Sequence, residues 1–188
     1  ALAGVPRFFS RSTETKRPVR VLVVFGGADG AQIMGLCKPV IERVAGYHFV
    51  MKPHPRSRVQ APQIYEQLRG VNDATYEVAT QGYYELLPTA DVVVATYSSA
   101  GMEAASLGYP VVALNMPDYA SPSGLMDAGG NVRFAGSPEA LIAALTAASR
   151  AAPQGETAST QAFWNLDGRA QERWAEIIAR LVKQHALG

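Results

Sequence analysis

Cysteine occurs once in this chain, at Cys37, and histidine three times, at His48, His54 and His185. One thiol cannot make an intramolecular disulfide, and no Cys/His spacing of the metal-binding kind occurs. Cys37 therefore reads as a small buried hydrophobe, and a reducing compartment is expected. An excess of charge is missing too: seventeen basic residues face sixteen acidic ones, a net charge of +1. The basic residues are dispersed except for Arg11, Lys16, Arg17 and Arg20, which excludes the concentrated basic face of a nucleic-acid binder. No apolar run approaches the ~18 residues that cross a membrane, and the first residues do not form a signal-peptide pattern. The G-x-G-x-x-G fingerprint, the P-loop and G-x-S-x-G are absent, as is any Ser/His/Asp order that supports a hydrolase triad.

What is present suffices for a folded domain. With 188 residues, 48% of them apolar, the chain can build a full core without disulfides or metal. The opening segment, Ala1 to Pro18, is non-periodic, lacks an initiator Met and reads as a linker entering a domain at Val19. One domain of a longer protein is the expectation. From Val19 short β-branched runs alternate with longer amphipathic stretches, the pattern of βαβ units and a parallel sheet.

Six strands are expected, at residues 19–25, 47–51, 74–78, 91–97, 110–115 and 131–135. Helices are expected over 31–44 and 62–69, with a short one through "YYELLPTA" and another at "MEAASLG", after the loop "SSAG" and ending at Gly108. Ser137 caps a further helix over 138–150, with Pro138 at its first position. A polar loop from residue 151 leads to a last helix over 168–185. The fold class is α/β: a Rossmann-like doubly wound, mainly parallel six-stranded sheet over 19–150, with residues 151–188 packing on it or on a missing N-terminal domain.

In the common doubly wound order 3-2-1-4-5-6, strands two, one and four are neighbours, and ligands bind at their carboxyl ends. The unusual residues gather there. Strand one ends in Gly26, Gly27 and Gly30, strand two in Lys52, His54 and Arg56, and strand four in Ser98, Ser99 and Gly101. His54 stands between Pro53 and Pro55, a setting incompatible with a helix interior, so the ring is held on a loop. Glycines let a backbone approach phosphate, helix starts present free N–H groups, and serine, lysine and histidine donate to phosphate oxygens. A nucleotide mono- or diphosphate is the economical ligand.

Simpler readings stand beside each piece. "GGADG" is also a tight strand-to-helix turn, and Ser98 or Ser99 a plain N-cap. Glu103 is also a first-turn carboxylate facing the helix dipole, and Lys52 and Arg56 are also solvated cations. The coincidence of three such pieces at one edge favours the ligand site. His48 in strand two and His185 in the last helix read as structural, and Tyr83, Tyr84, Trp164 and Trp174 as packing residues.

The residues "KPHP" (52 to 55), with "ADVVVATYSSAGMEAASLGYPVVAL" (90 to 114), resemble the C-terminal half of GT-B fold glycosyltransferases, particularly bacterial capsule and surface-polysaccharide enzymes. His-Pro and Ser-Ser motifs of this kind occur in sialyltransferases, polysialyltransferases, Kdo transferases and the CDP-glycerol glycerophosphotransferases of teichoic-acid synthesis. The closing "NLDGRAQERWAEIIARLV" is similar to the tail of such proteins. Pro53 departs from the Lys-Gly-His-Pro form of one sialyltransferase group, which argues against that group.

The resemblance implies a metal-independent transferase with no cofactor beyond a nucleotide-activated donor, CMP- or CDP-linked first and UDP-linked as the alternative. It makes His54 the catalytic contact to the donor phosphate. Gly26, Gly27, Lys52, Ser98, Ser99 and Gly101 become nucleotide and phosphate contacts, and Glu103 the holder of the ribose. It places the catalytic base in an N-terminal domain outside this chain, facing Trp164 and Trp174, with a glycan acceptor in the cleft between. The implied location is cytoplasmic, at the inner face of a bacterial membrane. Two other readings are a UDP-sugar epimerase or hydrolase of the same superfamily, and a non-catalytic nucleotide-binding module.

Overall fold

In a computed structural model of the protein, residues 17–57, 59–96, 98–116, 131–150 and 169–186 are described. The strands are β1 (Val19–Val24), β2 (Tyr47–Lys52), β3 (Tyr76–Val78), β4 (Val92–Ala95), β5 (Val111–Leu114) and β6 (Val132–Ala135). The helices are α1 (Gly30–Arg43), α2 (Ala61–Gln67), α3 (Tyr83–Leu86), α4 (Ser99–Ser106), α5 (Pro138–Arg150) and α6 (Ala170–Ala186). The strands form one six-stranded sheet in the order β3-β2-β1-β4-β5-β6, and every adjacent pair is parallel. The doubly wound order is the expected one, and the sheet is fully rather than mainly parallel.

The cause lies in the strands themselves. VVVA of β4 and VVAL of β5 are buried at every residue, as central strands covered on both faces require. Alternate residues feed two cores. Val21, Val23, Phe49, Met51, Val92 and Val94 pack with Ile33 of α1, Ile64 of α2 and Leu141 of α5. Leu22, Val24, Val50, Val93 and Ala95 pack with Leu86 of α3 and with Ala104 and Ala105 of α4.

Two boundaries are moved from expectation by side-chain caps. The helix expected at "MEAASLG" starts earlier, at Ser99, because Ser98 takes the N-cap and its hydroxyl accepts the Gly101 N–H at 3.4 Å. The third strand starts later, because Asn72 caps a 3-10 turn, Asp73–Thr75, by accepting the Ala74 N–H at 3.0 Å.

The amino edge of the sheet is stapled by charge. Both Arg17 guanidinium nitrogens contact Asp91 at 2.8 Å, and Asp91 also accepts the Arg20 N–H at 2.8 Å. The Arg20 side chain donates to Glu77 at 2.6 Å and to Thr89 at 3.1 Å. Two members of the basic cluster are thus in ion pairs, while Arg11 and Lys16 lie outside the described residues, as do Trp164, Tyr97 and the stretch 151–168 where a loop is expected. His48 donates from Nδ1 to the Ala74 carbonyl at 3.1 Å, a structural bond at this same edge.

Along α6, Trp174, Ile177, Ile178, Leu181 and Val182 are exposed, at the three- and four-residue spacing of one helix face. Among the described residues no helix is long and apolar enough to cross a membrane.

Cys37 is fully buried in α1, and that burial pushes its thiol up to about 12. The native protein is therefore expected to resist DTNB at mildly alkaline pH and to react with one equivalent once unfolded in guanidinium. Prompt labelling of the native protein contradicts this packing.

Candidate functional site

The sheet register places Lys52, Val24 and Ala95 in one row at the carboxyl edge. Neighbouring strands lie ~4.8 Å apart, so the segments leaving β2, β1 and β4 do so within about 10 Å of one another. The β3-β2-β1-β4 order thus brings the three expected pieces to one edge of the sheet.

Asp29 organises the β1 side. It occupies the N-cap position of α1, yet its side chain does not cap that helix. Instead the carboxylate, 4% exposed, turns back to the sheet. Oδ1 accepts the Gly26 N–H at 2.7 Å, and Oδ2 accepts the buried Thr96 hydroxyl. The end of β1 is thereby tied to the residue after β4.

This contact explains Gly26, because a Cβ there meets Asp29 Oδ2 at 2.6 Å. Gly30 is packed as tightly, with its hypothetical Cβ 2.8 Å from Val59 Cβ and 3.0 Å from Ser57 Oγ, so α1 begins against the loop that follows β2. Gly101 is buried, its hypothetical Cβ 3.0 Å from Ala95 Cβ. Gly27 differs from all three. It is exposed, and the nearest atom to an added Cβ is His54 Nδ1, at 3.9 Å. Gly27 and His54 therefore stand side by side on open space.

The His54 loop is held by hydrogen bonds. Ser57 N–H donates to the His54 carbonyl at 2.9 Å, closing a turn whose second residue is Pro55, where the fixed φ of proline is suited. Arg56 N–H donates to His54 Nδ1 at 3.0 Å. Lys52 is half-buried, its Nζ donating to the Pro53 carbonyl at 3.2 Å, and Arg56 is exposed.

On the β4 side, Ser98 is the N-cap of α4 and Ser99 is exposed at its first position. The N–H groups of Ser99 and Ala100 have no hydrogen-bond partner among the described residues, and they carry the positive end of the helix dipole. Glu103 accepts the Tyr84 hydroxyl at 2.9 Å, and the Tyr83 hydroxyl donates to the Ala100 carbonyl at 2.6 Å. Burial, and then the Glu103 charge, raises the Tyr83 phenol above its usual range, so it remains a donor. The Tyr84 phenol is raised first by its bond to Glu103. Tyr83 has the expected packing role, whereas Tyr84 is 70% exposed beside Glu103.

Sequence reasoning does not single out Asp29, Thr96, Gln60 or Tyr84 as site residues. An Asp before a helix reads as an N-cap, and nothing local shows that this one faces the sheet. Among the described residues no three of His, Cys, Asp and Glu cluster as metal ligands.

Solved structures share this architecture. A UDP-GlcNAc 2-epimerase from Methanocaldococcus jannaschii, in complex with UDP-GlcNAc and UDP, is 18% identical, covers 87% of this chain and 45% of its own, and has a TM-score of 0.63. The glycotransferase of kitacinnamycin is 18% identical over 74% of this chain and 37% of its own, with a TM-score of 0.55. A putative UDP-N-acetylglucosamine 2-epimerase from Listeria monocytogenes is 17% identical over 77% of this chain and 43% of its own, with a TM-score of 0.51. The likeness is one of fold. The chain has a Rossmann-like α/β fold in common with these structures and spans less than half the length of each. No protein-family model and no curated protein sequence matches it.

Removing the Asp29 clamp is expected to show in stability. Asp29→Ala strands a part-buried N–H and a buried hydroxyl and should cost about 2–3 kcal/mol, and Thr96→Val about 1–3 kcal/mol. Gly26→Ala forces a methyl against the carboxylate and should cost about 1–3 kcal/mol. Urea midpoints at unchanged m-value measure all three, and an Asp29→Ala midpoint equal to the parent's would refute the clamp.

Proposed function

We propose that the chain is the donor-nucleotide-binding half of a glycosyltransferase of bacterial surface-polysaccharide synthesis. It takes a sugar or polyol phosphate from a CMP- or CDP-activated donor, at the cytoplasmic face of the membrane. The observation that carries this reading is the placement of His54 against the open Gly27, on the same sheet edge as the serine-rich start of α4.

The donor phosphate lies between Gly27, His54 and the free amides of Ser99 and Ala100, with the Ser98 and Ser99 hydroxyls and Lys52 as further donors. Glu103 is four residues beyond Ser99, about 6 Å along the α4 axis, where its carboxylate accepts the ribose hydroxyls. The exposed Tyr84 ring beside it offers the base an apolar face. When the donor bond breaks, negative charge develops on the departing phosphate, and donors already aimed at that point stabilise it. His54 is the residue assigned to that contact.

The catalytic base and the acceptor-binding surface belong to a second half. Support for such a partner comes from the span of this chain relative to its fold neighbours and from the exposed apolar stripe of α6. A second reading, a UDP-sugar epimerase or hydrolase, is favoured by the two epimerases among those neighbours.

Thermal unfolding with CMP, CDP and UDP separates the two readings. A nucleotide at 100 times its Kd is expected to stabilise the protein by ~2.7 kcal/mol, and His54→Ala should abolish that shift. Gly27→Ala should keep the parent's melting temperature without nucleotide, since no atom lies nearer than 3.9 Å to the new methyl, yet lose the response to nucleotide. A larger response to UDP assigns the second reading, and no response to any of the three refutes both.

A further inference from the structure

Several polar groups of the described residues between Pro53 and Gln60 are paired with one another. The His54 carbonyl takes the Ser57 N–H, and the Ser57 hydroxyl accepts the Val59 N–H at 3.1 Å. Gln60 joins this network from the start of α2. Its Nε2 donates to the His54 carbonyl at 3.0 Å and to the Ser57 carbonyl at 2.5 Å. Its side chain also completes a reciprocal capping box with Gln63, whose Oε1 accepts the Gln60 N–H at 3.1 Å. The neighbours decide which end of the amide is which, because two carbonyls require the nitrogen on one side and a helix N–H requires the oxygen on the other. One side chain thus has two separable roles. Its oxygen starts a helix, and its nitrogen holds the His54–Ser57 turn.

That turn decides the chemistry of the His54 ring. A backbone N–H can only donate, so the Arg56 amide on Nδ1 makes that nitrogen the lone-pair atom. In the uncharged ring the proton is then on Nε2. Nε2 has no hydrogen-bond partner among the described residues, and the ring stands beside the open Gly27.

We propose that Gln60 is the positioning residue of this site. It holds the 54–57 turn so that His54 meets an anionic phosphate as an uncharged Nε2–H donor. The proposal rests on the nucleotide reading above, but half of its test needs no nucleotide.

The two roles of Gln60 can be divided by substitution. Gln60→Glu keeps an oxygen to cap α2 and turns the donor side into an acceptor facing two carbonyls. Gln60→Leu removes the donor without adding charge. Long-range proton–nitrogen spectra of the uncharged histidine rings, with His54 assigned by its loss in His54→Asn, should show the parent ring as the Nε2–H tautomer with a hydrogen-bonded Nδ1.

In both Gln60 variants the His54 nitrogen shifts should move toward those of a free imidazole's tautomer mixture. Affinity for whichever of CMP, CDP or UDP binds the parent should fall roughly tenfold, the loss expected of one misplaced hydrogen bond to a charged group. Gln60→Glu should stay folded by circular dichroism while melting below the parent, since its carboxylate faces two carbonyls. Unchanged ring shifts in both variants overturn the proposal, as does an Nδ1–H ring in the parent. Affinity that falls only in Gln60→Glu also overturns it, by assigning the effect to charge. If the ring shifts move as expected while no nucleotide binds the parent, the positioning role stands and the nucleotide reading fails.

Discussion

A buried carboxylate is costly unless each oxygen finds a donor, and Asp29 meets that demand by drawing together two chain segments that are remote in sequence. One oxygen holds the Gly26 amide and the other the Thr96 hydroxyl. The turn after β1 and the approach to α4 are therefore set by one side chain. The start of α1 is left uncapped as a result, so a gain at the sheet edge is set against a loss at the helix start.

The β2 side is coupled to the same edge by packing. Gly30, the residue after Asp29, lies against Ser57 and Val59, so the beginning of α1 touches the loop that carries His54. Hydrogen bonds within that loop then set the ring. Asp29 and Gly30 between them join all three strand ends. Such an edge loses little conformational freedom when a ligand arrives, which favours affinity without added contacts.

The sheet was legible in sequence because its central strands are continuous β-branched runs, and such runs are hard to place anywhere but in a covered parallel sheet. The placement of Gly27, His54 and the Ser98–Ser99 helix start at one sheet edge was legible too, since strand order alone puts those strand ends there. What could not be read depends on partners distant in sequence. "SSAG" resembles a loop, and only the cap from Ser98 to Gly101 makes it the first turn of α4. Asp29 resembles an N-cap until Thr96, sixty-seven residues away, is placed beside it. Tyr84 resembles core until its hydroxyl is found on Glu103 at the surface.

The ion pairs of Arg17 and Arg20 have a consequence for how an anion would find this protein. They lie at the amino edge, four to six strand residues from the carboxyl edge, or ~13–20 Å at about 3.3 Å per residue. That exceeds the ~8 Å screening length of physiological salt, and their charge is already balanced by Asp91 and Glu77. Arg17 and Arg20 therefore contribute little to long-range steering. Any steering of an anion toward the carboxyl edge falls instead to Lys52 at the end of β2 and Arg56 on the segment after it, and it weakens as salt rises.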